Sequence, residues 1–279
     1  MQIQHAARLL FAPAFLGFAL GTIPVTHAGV ALNADASTFG ATVAVHPTGT
    51  PTENAAALTA ALQSPTAVAA TEGSPVLIDI GPGIFDFGSG TSLDPFTSIA
   101  IEMPDHVHLR GAGTDITVLT CTCDIVIYAN FTTDNQFSQL TIDSLGDNRE
   151  GNLQAAIYAL GAAIGLKNVV TRGDYGVYLQ VSTAEIWQST LLSSLNYALY
   201  LSFGGEATVT HSVIDGLNSN GRGIVAASGV DNILNIRYSY VGDAGMEAGL
   251  SNCLATTTAS SFIPTGCPTP PVAASADGT

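Results

Sequence analysis

Charged residues are scarce in this chain of 279 residues. They make up 10% of it, and 7 Lys and Arg stand against 22 Asp and Glu, so the formal net charge is −15. This balance excludes a surface built to hold nucleic acid or an anionic membrane, because both need cations against phosphate. It also disfavours polyanionic substrates such as polygalacturonate, unless a divalent cation bridges the two sets of carboxylates.

Several enzyme motifs are also missing from the sequence. It has no phosphate-binding glycine loop, no thiol–histidine pair and no serine elbow. Long helical periodicities are almost absent, whereas 47% of the residues are hydrophobic and 29 are glycines. This composition is typical of a β-rich globular protein with one elongated core.

A four-residue sequence motif, called the repeated phrase, occurs five times. Each copy begins with a small residue and places apolar side chains at its second and fourth positions, the pattern of a strand with one buried face. The copies are Ala156–Ala159, Gly176–Leu179, Ala198–Leu201, Gly223–Ala226 and Gly245–Ala248. Their first residues lie 20, 22, 25 and 22 residues apart, a period that predicts a solenoid.

A second strand is expected after each of the first four copies. These strands are predicted at Leu166–Val170, Ile186–Leu191, Val209–Ile214 and Ile236–Val241. Short strands repeated at this interval and joined by Gly, Asp, Asn and Ser turns predict an all-β fold, a parallel β-helix. An N-capped helix that starts at Thr52 and ends before Pro65 would cover the open first rung.

The two ends of the chain differ from the repeats. Residues 1–28 hold one cation, Arg8, followed by an apolar run, and they predict a cleaved secretory signal; Pro13 and the shortness of the run disfavour a membrane helix. Residues 29–253 are predicted to form one β-helix domain, and residues 254–279 a C-terminal cap segment and flexible tail. The protein is therefore expected to be secreted, extracellular or periplasmic, with no membrane attachment after cleavage.

The four cysteines form two pairs along the sequence. In an oxidising compartment disulfides are expected. Cys253 and Cys267 would close a short loop after the last repeat and staple the end of the solenoid. Cys121 and Cys123 are either free buried thiols or a strained local bridge, because the spacing along an extended strand is unfavourable for direct bonding.

The opening of the repeat region resembles that of pectin methylesterases and related pectin-lyase-like proteins. The resemblance rests on the capping helix, on Gly-Pro-Gly-Ile-Phe at 81–85, and on Leu-Arg-Gly-Ala-Gly at 109–113. It covers about residues 42–250 in organisation and the first third of that span in motif. It implies a single-stranded right-handed parallel β-helix with an N-terminal capping helix.

The resemblance also implies which chemistry to look for. Pectin methylesterases use two aspartates on neighbouring rungs, glutamines that hold the oxyanion, and an arginine. Gln154 matches the first glutamine, but Tyr175 falls at the acid/base position beside Asp174, and Ala198 falls where the nucleophile should be. The ester-hydrolysing site is therefore predicted to be lost.

A lyase would instead need carboxylates around calcium and a cationic base. Asp174 and Asp215, at similar turns of the repeat, are the candidate carboxylates, and Arg172, beside Asp174, is the candidate base. The rung between the two aspartates would separate them by roughly 9 to 10 Å, too far for one cation to bridge. Turn aspartates that bond to their own backbone are the favoured interpretation.

Two other clusters are candidate metal sites. Asp143, Asp147 and Glu150 lie in the longest polar insertion between rungs, which is either a calcium loop or a solvated insertion. His106 and His108 would share a strand face, an arrangement suited to two metal ligands, but a structural role is favoured for both histidines.

The outward positions of the rungs carry the aromatic candidates. Tyr158, Tyr178 and Tyr200 occupy one column, predicted to be a stabilising ladder in preference to a sugar-binding track, since neighbouring rings would hide one another's faces. Trp187 occupies another column and is the best single candidate for a ligand contact. The residues of that second column are Lys167, Trp187, Thr210 and Arg237.

The sequence thus favours a secreted β-helix without a complete catalytic site, acting as an extracellular carbohydrate-binding or surface-structural module. The alternative is a polysaccharide lyase or hydrolase assisted by calcium, and a third hypothesis is an assembly module. No cofactor other than calcium is expected. The expected partner is extracellular polysaccharide.

Overall fold

The computed structural model describes residues 39–95, 97–146, 153–217, 222–226, 232–242, 246–247, 252–258 and 262–265. The predicted signal (1–28), Asp147, Glu150 and Cys267 lie outside these residues, so the predictions made for them stay predictions. Among the helices that are described, none has the length and hydropathy that crossing a membrane requires.

The elements are short strands preceded by two helices. The first elements are β1 (Ala41–Val45), α1 (Pro51–Leu62) and α2 (Pro65–Val68). Before the polar insertion come β2 (Val76–Ile80), β3 (Gly83–Asp86), β4 (Thr91–Asp94), β5 (Thr97–Glu102), β6 (Val107–Arg110), β7 (Thr117–Cys121), β8 (Ile125–Asn130) and β9 (Asn135–Ser144). After it come β10 (Ala155–Leu160), β11 (Ala163–Gly173), β12 (Tyr175–Gln180), β13 (Thr183–Trp187), β14 (Thr190–Ser193), β15 (Tyr197–Ser202), β16 (Glu206–Thr210), β17 (Val213–Gly216), β18 (Arg222–Ala226), β19 (Ile233–Arg237), β20 (Tyr240–Val241), β21 (Met246–Glu247), β22 (Asn252–Thr258) and β23 (Phe262–Thr265).

These strands stack as a right-handed parallel β-helix with three faces. Sheet 1 runs in the order β4-β5-β8-β10-β12-β15-β18-β21, and all its pairs are parallel except β4 with β5. The other strands form one 15-stranded sheet that is bent along a corner. On one side of the corner lies sheet 2, which includes β6, β13, β16 and β19. On the other side lies sheet 3, which includes β7, β14, β17 and β20. The long strands β9 and β11 cross the corner and belong to both sheets. The predicted fold is confirmed.

The register of sheet 1 is the register of the repeated phrase. Tyr158 pairs with Tyr178, Tyr178 with Tyr200, Tyr200 with Val225, and Val225 with Glu247. The apolar second and fourth residues of the phrase point into the core, where their side chains are fully buried; among them are Ile157, Ala159, Val177, Leu179, Leu199, Leu201 and Ile224. Equivalent apolar side chains therefore lie one above another along the axis, which keeps the core continuous from rung to rung.

Three of the predicted second strands are wrong as single strands. Ile186–Leu191, Val209–Ile214 and Ile236–Val241 each cross the corner between sheets 2 and 3 and are divided there by a residue with positive φ. These residues are Gln188 (φ 48°), His211 (φ 52°) and Tyr238 (φ 49°). Period-2 patterning does not reveal the break, because the apolar side chains on both sides of it still point inward.

Buried serines stabilise this corner. Ser189 accepts the backbone N–H of Val169 at 3.2 Å, Ser212 accepts that of Ser189 at 3.1 Å, and Ser239 accepts that of Ser212 at 3.1 Å. Each hydroxyl also donates to the carbonyl two residues before it. The left-handed turn takes these amides out of the regular strand pairing, and the serine of the next rung gives them a partner.

The helix α1 covers the N-terminal end of the core, as predicted. Its N-cap is Thr50, earlier than the predicted Thr52, and Thr50 forms a capping box with Glu53. Asn54 is buried and donates its side-chain amide to the carbonyl of Ile84 at 3.1 Å, which fixes the helix on β3. The first rung is thereby protected from pairing with another chain.

Cys121 and Cys123 form a disulfide, one of the two arrangements left open by the sequence. The strand β7 ends at Cys121 and the chain bends at Thr122, so the two Cα atoms lie 5.2 Å apart, within the usual range for a disulfide. Both side chains are buried. Because the chain bends between them, the two cysteines are not held at the spacing of an extended strand, which would have been unfavourable for direct bonding.

We expect Ser212→Ala to lower the free energy of unfolding by about 1 to 3 kcal/mol, because it removes both hydrogen bonds of a buried serine and leaves the amide of Ser189 without its partner. Urea unfolding measures this change. The matched control is Ser138→Ala, at an outward position of β9, which should change stability by less than about 0.5 kcal/mol. Equal effects of the two substitutions would contradict a stabilising role for the serine.

Candidate functional site

Six of the eight tyrosines of the chain lie on the outer side of sheet 1. This tyrosine face consists of Tyr128, Tyr158, Tyr175, Tyr178, Tyr197 and Tyr200. The parallel register forms it, because Tyr128, Tyr158, Tyr178 and Tyr200 occupy the same position on four consecutive rungs. Tyr175 and Tyr197 come three residues before their partners in the column and pack beside them.

The rings of the column contact one another directly. The ring centroids of Tyr128 and Tyr158 are 5.5 Å apart, those of Tyr158 and Tyr178 5.0 Å, and those of Tyr178 and Tyr200 4.7 Å with the planes at 89°. Aromatic pairs at these separations stabilise the fold beyond their buried area. The contacts are those of the predicted ladder, and they leave ring edges and hydroxyl groups as the chemistry available to a ligand.

The hydroxyl groups of the tyrosine face are held in a polar network. Tyr158 donates to the side-chain oxygen of Gln180 at 2.6 Å, and Ser202 donates to the hydroxyl of Tyr178 at 3.4 Å. Burial, reinforced by the neighbouring tyrosines, raises the pKa of Tyr158 and of Tyr175 to about 12. Both phenols are therefore neutral at ordinary pH and keep their proton for donation.

Trp187 lies on sheet 2 in the predicted column. Lys167 and Trp187 are paired neighbours, as are Trp187 and Thr210, and Thr210 and Arg237. The ammonium of Lys167 lies 5.0 Å from the centroid of the indole, a cation–π contact. One face of the indole is thus occupied by the protein's own cation.

Asp143 and Arg172 form an ion pair on sheet 3. They are direct neighbours on β9 and β11, and Nη1 of Arg172 lies 3.7 Å from Oδ2 of Asp143. Burial raises the pKa of Asp143, and the positive charge of Arg172 opposes that rise. The sequence proposed Asp143 as a calcium ligand and Arg172 as a base, whereas in the structure they are each other's partners.

Asp174 lies at the corner between sheets 3 and 1, where its residue is 4% exposed. Its Oδ1 accepts a hydrogen bond from the hydroxyl of Ser194 at 2.7 Å. Burial raises the pKa of this carboxyl, and the hydrogen bond from Ser194 lowers it in part. Asp174 is the buried carboxyl closest in sequence to the tyrosine face, since Tyr175 follows it directly.

The structure does not bring Asp215 together with Arg172. Leu192 pairs with Arg172 on one side and with Asp215 on the other, so two strand spacings separate Arg172 from Asp215. Asp215 accepts the backbone N–H of Gly216 at 2.8 Å, the local bond expected of a turn aspartate. The three residues proposed for catalysis therefore do not form one site.

The predicted metal cluster of Asp143, Asp147 and Glu150 stays a prediction, because Asp147 and Glu150 lie outside the described residues. Among the residues that the structure describes, no three side chains of His, Cys, Asp or Glu come together in an arrangement that could hold a metal ion. His106 lies in the turn before β6, so it does not share a strand face with His108 as predicted. His108 is buried against Phe39 (ring centroids 5.0 Å apart), and burial lowers its pKa.

No protein-family model and no curated protein matches this chain. Solved structures do match it. Pectin methylesterase PemA from Erwinia chrysanthemi is 10% identical with a TM-score of 0.52, covering 81% of this chain and 91% of that one. The catalytic domain of a GH87 alpha-1,3-glucanase in complex with tetrasaccharides is 15% identical with a TM-score of 0.54, covering 83% of this chain and 40% of that one. The chain has the pectin-lyase-like β-helix fold. Sequence identities of 10% and 15% show that the fold is shared and show nothing about a shared function.

Within this pectin-lyase-like fold, the residue at the position expected for a nucleophile belongs to the hydrophobic core. Ala198 is fully buried and points inward from β15. Gln154, which matched the first glutamine, is also buried, at the corner directly before β10. A group that would attack an ester bound on the outer surface is thus absent from this position.

The sequence reasoning missed half of the tyrosine face. Tyr128 was missed because the polar insertion after Asp143 lengthens the interval to Tyr158, which hides the period. Tyr175 and Tyr197 were missed as ligand candidates because they precede the repeated phrase. The signal that could have found the last two was present, since both lie three residues before a tyrosine of the column.

We expect the carboxyl of Asp174 to titrate above the usual range for aspartate, and Ser194→Ala to raise its pKa further by removing the hydrogen bond that favours the charged form. A carboxyl-detected NMR titration measures both values. Because the folded-state pKa is raised, the protonated form contributes stability at low pH, and this contribution is lost as pH rises through the raised pKa. Ser138→Ala is the control and should leave the titration unchanged; a lower pKa in Ser194→Ala would refute the assignment.

Proposed function

We propose that this protein is a non-catalytic extracellular module that binds polysaccharide along its tyrosine face. The observation that supports the proposal is the concentration of six tyrosines on one outward sheet face, in a chain with 7% aromatic residues. A surface-structural role is what would remain if no polysaccharide is bound.

The chemistry of the tyrosine face suits uncharged sugars. A phenol donates and accepts hydrogen bonds, as sugar hydroxyls do, and its ring edge offers apolar surface to sugar C–H groups. The pKa values of about 12 for Tyr158 and Tyr175 mean that these donors keep their protons at the pH of any ordinary extracellular medium. With a net charge of −15, the module is expected to discriminate against polyanions unless calcium bridges them.

The candidate catalytic groups support a non-catalytic role. Glycoside hydrolysis needs two carboxyl groups about 5 to 9.5 Å apart around the scissile bond. Asp143 is paired with Arg172, Asp174 is buried and bonded to Ser194, and Asp215 lies two strands away from Arg172. Each carboxylate has a structural partner of its own.

The test is binding of neutral and acidic polysaccharides, measured by affinity electrophoresis and calorimetry. We expect a neutral polysaccharide to bind and the double variant Tyr175→Ala, Tyr197→Ala to bind it at least about tenfold more weakly, because two side chains that border the column are removed. The matched control is Tyr238→Ala, an exposed tyrosine that stacks on His211 away from the tyrosine face. Unchanged affinity in the double variant would overturn the assignment of the face.

A second candidate function is polysaccharide hydrolysis or lysis. The observation that favours it is that burial raises the pKa of both Asp143 and Asp174, and carboxyls with raised pKa are frequent in active sites. In that case Asp174, beside the tyrosine face, would act as the proton donor and Arg172 would hold the substrate.

Release of reducing ends and of unsaturated products, measured with and without calcium, tests this second candidate. If the protein is an enzyme of this kind, Asp174→Asn should lower the turnover at least about 100-fold, the loss expected for a general acid. Asp94→Asn, at an exposed position of β4, is the control. Absence of turnover in the unmodified protein rejects the second candidate.

A further inference from the structure

A second surface, on sheet 2, carries an unusual concentration of cations and the one tryptophan of the chain. Among the 7 cations of the protein, Arg110, Lys167 and Arg237 lie in a single outward column with Trp187. Arg110 is bonded to Asp79 at 2.9 Å. Lys167 and Arg237 stand on opposite sides of Trp187, one and two strands away.

Of the two residues paired with Trp187 on the neighbouring strands, Lys167 has a long side chain and Thr210 a short one. Lys167 lies over one ring face, which means that the other face is directed along the column towards Thr210. Thr210 has a short side chain, which stays close to the sheet surface and does not reach the outer part of the indole. The next long side chain along the column is the exposed Arg237.

The distance across this gap is set by the strand spacing. Trp187 and Arg237 are two strands apart, which places them roughly 9 to 10 Å from one another. A flat ring in van der Waals contact with both needs about 3.5 to 4 Å on each side. The two contacts of one ring add up to about 7 to 8 Å and those of two stacked rings to more than about 10 Å, so the gap admits one ring and not two.

Polar groups surround the gap. Glu185 precedes Trp187 by two residues and points outward from the same strand, with Thr208 as its paired neighbour. The carboxyl of Glu185 accepts hydrogen bonds, and the hydroxyl of Thr208 and the guanidinium of Arg237 donate them.

We propose that this gap is a binding subsite for one pyranose unit of a glycan, with its apolar face on Trp187, Thr210 beneath it and Arg237 opposite. An aromatic face beside a carboxyl, a hydroxyl and a guanidinium matches the apolar faces and hydroxyl groups of a sugar ring. The subsite lies on sheet 2, so it is separate from the tyrosine face on sheet 1. The proposal rests on the proposed function in one respect, that the protein binds glycans.

The fluorescence of the single tryptophan reports on this subsite alone. The experiment titrates the full chain with soluble hexasaccharides of glucose, mannose and galacturonic acid and follows tryptophan emission and, in parallel, calorimetric heat. We expect one of the three to change the emission with the same Kd that calorimetry gives. We expect Trp187→Ala to weaken its binding at least about tenfold.

Thr210→Phe fills the gap while it retains the fluorescent reporter, so it should abolish the change in emission. The matched control is Ser138→Phe, at an outward position of the same column on the far side of Lys167, which should leave the response intact. Arg237→Ala, at an exposed position, should weaken binding severalfold and provides a second test should Thr210→Phe fail to fold.

The outcomes separate this inference from the proposed function. If the double variant Tyr175→Ala, Tyr197→Ala loses polysaccharide binding but retains the fluorescence response, both proposals stand. If calorimetry shows binding while the emission of Trp187 stays constant, the proposed function stands and the subsite is overturned. If no hexasaccharide produces either signal, the subsite is overturned, and the polysaccharide assay decides the proposed function.

Discussion

The parallel register of the rungs is the constraint on which the rest of this structure depends. Parallel pairing stacks equivalent residues about 4.8 Å apart, so whatever a sequence position carries is repeated as a column along the axis. Inward columns of Ile, Leu, Val and Ala form the core, and the column of serines completes the corner. Outward columns form the tyrosine face on sheet 1 and the column of Lys167, Trp187, Thr210 and Arg237 on sheet 2. Core, corner and candidate surfaces all follow from one set of backbone hydrogen bonds.

The repeated phrase predicts sheet 1 well because its alternation and period are both local properties of the sequence. It predicts the corner poorly. Gln188, His211 and Tyr238 adopt positive φ although none of them is glycine, and Gln139 and Asn168 do the same at the equivalent positions of β9 and β11. The amides that follow this turn find partners in the serines of the next rung, a long-range hydrogen bond that a local pattern does not reveal. The disulfide between Cys121 and Cys123 is equally hard to predict from the sequence, because it depends on a bend at Thr122 that residue spacing does not encode.

The candidate surfaces are also predictable in part. The sequence predicts that Tyr158 and Trp187 belong to outward columns, because column membership needs only the register. It does not predict that Tyr128 belongs to the tyrosine column, because the polar insertion breaks the period. The ion pair of Arg172 with Asp143 lies between neighbouring strands but outside the repeated phrase, and the partnership of Asp174 with Ser194 depends on how two corners approach one another. The acidic groups therefore proved to be engaged in structure where spacing alone suggested chemistry.

The serine column has a consequence for how such a chain can change in length. The rungs of Ser189 and Ser212 each supply a hydroxyl to the rung before and leave an amide for the serine of the rung after, so these two rungs have the same connection at their two sides. A duplicated segment that begins and ends at equivalent serines would join its neighbours without a mismatch. Tandem gene duplication could thus lengthen the outward columns in whole rungs, extending a binding surface while the cap at the N-terminal end stays the same.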